Sequence, residues 1–208
     1  MLGVLQGLTE FLPISSSAHL TLAGNLMGLI SPGTAAGWTA FIAVTQLGTL
    51  LAVVLYFLKD LLQMVSALRA DWRQHGMAVK HYSLHARLAL FMIAGTIPMA
   101  LIGLSLSSII HSMFTKSTAV IASSLIGLAV LLWIAERVAS HRRKLDDLTL
   151  SDALIIGTAQ AFALIPGSSR SGTTLTAGLF LNLTREAAAR FSFLLSIPAI
   201  GASGVYEF

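Results

Sequence analysis

Three stretches of this chain, Trp38 to Leu58, Leu88 to Ile110 and Ser117 to Ala135, contain no Asp, Glu, Lys or Arg. A helix needs roughly 20 predominantly apolar residues to cross the hydrocarbon core of a bilayer, and each stretch has that length. Charges stand just beyond them, at Lys59, Arg87, Lys116 and Glu136. A fourth stretch, Phe191 to Tyr206, begins in the same way and runs close to the end of the chain. Across the chain 11% of residues are charged, against roughly 25% in soluble domains, and the mean hydropathy is +0.81. An ordinary soluble domain is excluded; these features point to one all-α polytopic membrane domain over residues 1–208. The 13 basic against 9 acidic residues give a net charge of +4. No basic patch is interleaved with stacking aromatics, so no nucleic-acid partner follows. The lack of cysteine excludes disulfides, thiolate metal ligands and a cysteine nucleophile.

Residues 1–30 and 153–183 are also apolar, yet proline and a cluster of hydroxyl residues interrupt each near its middle. Proline removes a backbone donor and breaks a helix, and irregular backbone at membrane depth survives only against protein or a water-filled cavity. The expected architecture is two re-entrant helical hairpins, 1–30 and 153–183, with about four transmembrane helices at 38–58, 88–110, 117–135 and 191–208. The segment after the first span carries Lys59, Arg69, Arg73, Lys80 and Arg87, and that after the third carries Arg137, Arg142, Arg143 and Lys144. By the positive-inside rule both face the cytoplasm, where they also suit lipid headgroups. The stretch from Ser31 to Gly37 has no charge and the linker after the second span has only Lys116, which places both on the opposite side. The first hairpin is then entered from outside and the second from the cytoplasm.

The two hairpins resemble each other. Gly3, Gln6, Pro13, Ser15, Ser16, Thr21 and Leu22 match Gly157, Gln160, Pro166, Ser168, Ser169, Thr174 and Leu175, with one residue's slip between Gln and Pro. Three spans separate the copies, so they enter from opposite faces as inverted repeats do. In such folds broken helices meet near the midplane with their N-termini toward an anionic group. One composite site, built from residues about 150 apart in sequence, is the expectation.

The first hairpin reads Gln6-x-x-x-Glu10-x-x-Pro13-x-Ser15-Ser16-Ser17-x-His19. Gln6 and Glu10 share one helix face, and an ionisable residue inside a membrane segment is a functional candidate because of its cost there. The bland reading makes Glu10 a polar residue near an aqueous surface, and Ser15 to Ser17 a helix cap. The second hairpin reads Pro166-Gly167-Ser168-Ser169-Arg170-Ser171-Gly172-Thr173-Thr174 and opens into an apolar helix. Its glycines permit a tight turn, and its hydroxyls and backbone N–H groups suit an anion. Arg170 adds a planar fork that pairs with phosphate oxygens and keeps its charge when desolvated; a purely structural Arg170 would pair only with Glu10. His75, His81, His85, His111 and His141 read as loop or span-end residues. Gln46 and Gln160 read as helix–helix hydrogen bonders, and Trp38, Trp72 and Trp133 as interfacial anchors or packing.

At these motifs the sequence resembles the undecaprenyl-diphosphate phosphatase family, also called the bacitracin-resistance family. Gln6, Glu10, Ser15, Ser16 and His19 match one family signature, and Pro166, Gly167, Ser169, Arg170, Ser171 and Thr174 match the other. The resemblance implies hydrolysis of the terminal phosphate of undecaprenyl diphosphate in the bacterial inner membrane, which recycles the carrier lipid of peptidoglycan synthesis. Gln6 stands where many members have Glu, one carboxylate fewer for a divalent metal. Members usually have two further spans after the one that begins near Phe191, and this chain is expected to lack them.

The resemblance implies the following roles. Glu10, Ser16, His19 and Arg170 are the catalytic set, with Ser16 as nucleophile and His19 as its base or as the acid for the leaving group; an activated water is the rival nucleophile. Ser15, Ser17, Gly167, Ser168, Ser169, Ser171, Gly172, Thr173 and Thr174 bind the diphosphate. Gln6 and Glu10 hold Mg2+ or Ca2+, which favour oxygen ligands. The reaction is expected on the periplasmic or exterior side. A flippase or transporter for a polyprenyl phosphate or another anion is the alternative, since broken-helix repeats are common in carriers. A phosphatase acting on a related lipid would share the site and differ in tail recognition.

Overall fold

The computed structural model describes residues 1–30, 35–105 and 118–207. Ser31, residues 106–110, His111, Lys116 and Ser117, on which some of the expectations above fall, lie outside the described residues. In chain order the helices are α1 (Leu2–Thr9), α2 (Ser16–Leu26), α3 (Ala35–Tyr56), α4 (Leu58–His75), α5 (Leu84–Ser105), α6 (Thr118–Val138), α7 (Leu150–Gln160), α8 (Arg170–Phe180) and α9 (Arg185–Glu207). No strand occurs among the described residues; Arg143 and Leu183 form an isolated bridge.

Among the described residues, α5 and α6 are each long and apolar enough to cross a membrane, and the bent pair α3–α4 supplies a third candidate. The first expected span ends at Tyr56, where the chain bends by 67° and continues as α4. From its charges alone this segment reads as a basic linker. Its apolar residues Leu61, Met64 and Leu68 recur at helical spacing beside Lys59, Asp60, Arg69 and Arg73, which is the pattern of a helix lying along a surface. The fourth expected span falls inside α9, whose first turns carry Arg185, Glu186 and Arg190. The chain is therefore a membrane-embedded, all-helical protein, and its exposed apolar side chains, Leu51, Leu55, Ile93, Leu101, Ile126 and Leu131 among them, form the surface that lipid covers.

Lipid tails are as apolar as leucine, so close packing and small residues hold membrane helices together. The α5–α7 contact relies on this: a Cβ on Gly157 would overlap the Gly95 backbone, and a Cβ on Gly95 would stand 2.9 Å from the Ala153 carbonyl oxygen. Arg87 extends the same seam by donating to the Leu148 carbonyl at 2.7 Å. Around it Ile156, Leu179, Leu183, Phe191, Leu194 and Leu195 are all but fully buried.

The basic segments gather at one end. Arg143 pairs with Asp152 at 2.5 Å, Arg190 with Asp60 and Arg185 with Glu136. Asp71 accepts from the backbone N–H and the hydroxyl of Ser83, at 2.7 and 2.8 Å. The Ser83 N–H first and its hydroxyl second hold the Asp71 carboxyl below its ordinary range.

Candidate active site

Both interrupted segments fold as short helices about an irregular turn. α1 has 8 residues and α2 has 11, so neither exceeds about 17 Å at 1.5 Å per residue. α7 continues as a 3-10 turn, Ala161–Leu164, before the loop that precedes α8. Two positive φ angles shape the turns: Ser15 at 64° and Gly167 at 91°. A Cβ on Gly167 would collide with the Ile121 backbone and the Ser124 hydroxyl on α6, so only glycine fits there. Ser124 in turn donates to the Pro166 carbonyl at 2.6 Å, which fixes the loop to α6.

The two segments meet at Glu10 and Arg170, 160 residues apart in sequence. Arg170 Nη2 lies 2.5 Å from Glu10 Oε1, and both side chains are largely buried, at 14% and 4% exposure. Glu10 Oε2 accepts from Gln6 Nε2 at 2.7 Å and from the Ser16 hydroxyl at 2.6 Å. Ser171 donates to the Leu12 carbonyl at 2.9 Å, a second tie between the segments. Among the described residues, two buried atoms of the cluster, Arg170 Nη1 and Gln6 Oε1, have no hydrogen-bond partner. Such buried polar atoms call for a partner, and a ligand in the adjoining space can supply one.

These groups border a cavity of about 140 Å³. Glu10, Ser15, Ser16, Ser17, Ser168, Ser169 and Arg170 form its polar wall, while Met99, Ala163, Ala199 and Ile200 form an apolar one, with Gln46 also at the lining. Concave shape, mixed lining and a convergent cation and carboxylate are the attributes of a small-ligand site.

Not every residue named from the sequence takes the expected place. Ser16 hydrogen-bonds Glu10, whereas His19 Nδ1 meets the Ser15 carbonyl at 2.9 Å and His19 is not at the cavity lining. A carbonyl only accepts, so Nδ1 carries the hydrogen and Nε2 is the nitrogen left for proton transfer. Thr173 and Thr174 turn their hydroxyls back to the Arg170 carbonyl at 2.9 Å, and Thr174 also meets Ser192 at 2.6 Å. The Gly172 N–H is taken by Ser169, which caps α8 at 3.1 Å. Ser15 precedes α2 but its hydroxyl pairs with Ser17 rather than capping the helix. Gln160 is fully buried with neither amide atom bonded among the described residues, so it is not the expected helix–helix hydrogen bonder. Gln46, expected as a helix–helix hydrogen bonder, borders the cavity instead. His141 lies 3.8 Å from Glu136, away from the hairpins.

The family described as bacitracin resistance protein BacA matches this chain over residues 1–208. The chain belongs to this family. Relatives named undecaprenyl-diphosphatase agree along the whole chain. The relative from Syntrophobacter fumaroxidans is 50% identical over 208 residues, covering 100% of this chain and 74% of the relative. The one from Myxococcus xanthus is 51% identical over 207 residues, covering 100% of this chain and 67% of the relative. The one from Renibacterium salmoninarum is 45% identical over 211 residues, covering 100% of this chain and 71% of the relative. The match covers both interrupted segments, and with them every residue of the Glu10–Arg170 cluster.

Proposed function

We propose that this chain hydrolyses undecaprenyl diphosphate to undecaprenyl phosphate and inorganic phosphate. The reaction recycles the carrier lipid of peptidoglycan synthesis and underlies the bacitracin resistance for which the family is described. The observation that carries the reading is the buried Arg170, its Nη1 without a partner among the described residues, set against Glu10 and the Ser16 hydroxyl at one cavity. Phosphoryl transfer asks mainly for positioning and for stabilisation of charge on the phosphoryl oxygens. Arg170 supplies the charge, and Ser15, Ser17, Ser168 and Ser169 supply neutral donors. The cavity is close in size to one of about 150 Å³ that admits benzene, so it takes the phosphate end and leaves the polyprenyl chain to the bilayer.

Ser16 is the nucleophile in this reading. Its proton passes to Glu10, to which it already donates, as its oxygen bonds the terminal phosphorus and the bond to the bridging oxygen breaks. His19, held through Nδ1 and set back from the cavity lining, supplies a proton from Nε2 to the departing undecaprenyl phosphate through an intervening water, and water then hydrolyses the phosphoserine. Glu10 and Gln6 Oε1, the latter without a partner among the described residues, are the oxygen donors that would hold Mg2+ or Ca2+. Bound there, the ion would offset phosphate charge.

In our reading the two hairpins are re-entrant inverted repeats in the bacterial inner membrane, and the cavity opens to the periplasm or exterior. The cavity-lining Met99 lies twelve residues along α5 from Arg87 at the basic end, about 18 Å at 1.5 Å per residue. That depth is just past the middle of a hydrocarbon core roughly 30 Å thick, which favours access from the side opposite the basic segments. A cysteine at Ser31, labelled by an impermeant reagent from outside only, is the expected result; labelling from the cytoplasm alone would reverse the orientation.

The decisive experiment is phosphate release from undecaprenyl diphosphate by purified protein in detergent, with and without EDTA. Release that EDTA abolishes and Mg2+ or Ca2+ restores is expected. No release, together with movement of polyprenyl phosphate across liposomes, would support a carrier instead.

A further inference from the structure

Gln46 belongs to a stripe on α3 formed with Thr49 and Val53, spaced as successive turns of one helix face. The other two are buried, at 6% and 5% exposure. Helical periodicity therefore turns Gln46 inward, and it is the member of the stripe that borders the cavity. An amide in an apolar helix is costly without a hydrogen-bond partner. Among the described residues, the Gln46 side-chain amide makes no hydrogen bond, whereas Glu10 is already engaged by Gln6, Ser16 and Arg170. It thus stands at the ligand cavity with its donor free.

From this we infer that Gln46 is a substrate-positioning residue whose Nε2 donates to an oxygen of the bound diphosphate, alongside Arg170 Nη1. The inference rests on the diphosphatase reading above. An amide suits this role because it adds a donor without adding charge. A carboxylate at the same position would repel the ligand at neutral pH and regain a donor on protonation.

The test compares wild type with Gln46→Leu and Gln46→Glu in the phosphate-release assay, each checked for folding by its melting curve in detergent. Gln46→Leu is expected to raise KM about tenfold with kcat within about threefold. Gln46→Glu is expected to raise KM about 100-fold near pH 7, falling toward the wild-type value as the pH is lowered through the carboxyl's titration. That relaxation is a signature that a packing role would not produce. Calorimetric binding of inorganic pyrophosphate to the same proteins reads the contact without turnover, and weaker binding by both variants is expected. If Gln46→Leu does not fold, Gln46→Asn takes its place. A KM within twofold of wild type in the Leu variant, a kcat loss at unchanged KM, or a Glu variant that follows the wild-type pH dependence would each overturn the assignment. Wild type that releases no phosphate yet binds pyrophosphate through Gln46 would sink the diphosphatase reading alone.

Discussion

The two interrupted segments divide the work unequally. The second is embedded: Ser169, Ser171, Thr173, Thr174 and Thr176 are buried, Ser169 caps its own helix, and α6 grips its loop through Ser124. The first is peripheral, with Val4 and Leu8 of α1 and Leu22 and Leu26 of α2 exposed by 60% or more. Yet the peripheral segment carries the carboxylate and the serine of the proposed chemistry. The embedded segment serves as a rigid seat for one cation, and the reactive segment docks onto it through Glu10 and the Leu12 carbonyl. Most of the anchoring hydroxyls of the second segment are spent on its own backbone, whereas Ser15, Ser16 and Ser17 of the first line the cavity.

This asymmetry can be broken from either side. The largest effect is expected from the bridging pair: Arg170→Ala and Glu10→Gln should each lower kcat/KM by at least about 10³-fold. Arg170→Ala should also destabilise by about 3–5 kcal/mol through the carboxylate left buried, as read from melting in detergent. Within the first segment, Ser16→Ala should cut kcat by about 10³-fold and His19→Ala by about 10²-fold. Normal turnover by Ser16→Ala would remove it from the mechanism, while phosphoserine trapped in wild type would fix it there. In the second segment, Gly167→Ala should cost about 1–3 kcal/mol, whereas Ser15→Gly should shift stability by less than about 1 kcal/mol. Equal sensitivity at the two turns would contradict the division into seat and reactive arm. Ser124→Ala should cost about 1 kcal/mol and loosen only the second loop, seen as faster hydrogen exchange over residues 165–169. The smallest effect lies outside both segments. A carboxyl held below its ordinary range stabilises above about pH 4 and loses that contribution as pH falls through its folded value. Asp71→Asn should therefore lower Tm slightly at pH 7, by an amount that shrinks as the pH falls through the carboxyl's folded value.

Much of this was legible in the residues alone. Glu10 and Arg170 stand out as charges within otherwise apolar segments, and a pair between them is one of the readings open for Arg170. What escaped was direction. Residue type says that Ser16 can donate, but the choice of Glu10 over His19 depends on the Ser15 φ of 64°, a backbone angle with no sequence marker in a non-glycine residue. Thr173 and Thr174 looked like ligand donors, yet hydroxyls inside a helix readily bond back to the preceding turn. The α3–α4 bend was hidden because it occurs at Phe57 with neither proline nor glycine to mark it. Gln46 was noted as an amide, and only the packing of its stripe separates a cavity residue from a helix–helix contact.

The Glu10–Arg170 contact has one more consequence. With its guanidinium and carboxylate joined, the cleft is electrically neutral and can sit among hydrocarbon without a bare charge. A diphosphate that engages Nη1 shares the guanidinium with the Glu10 carboxylate, so the cation holds it less tightly than an unpaired arginine would. The same sharing weakens the grip on phosphate once it has been cut away and speeds the departure of the product.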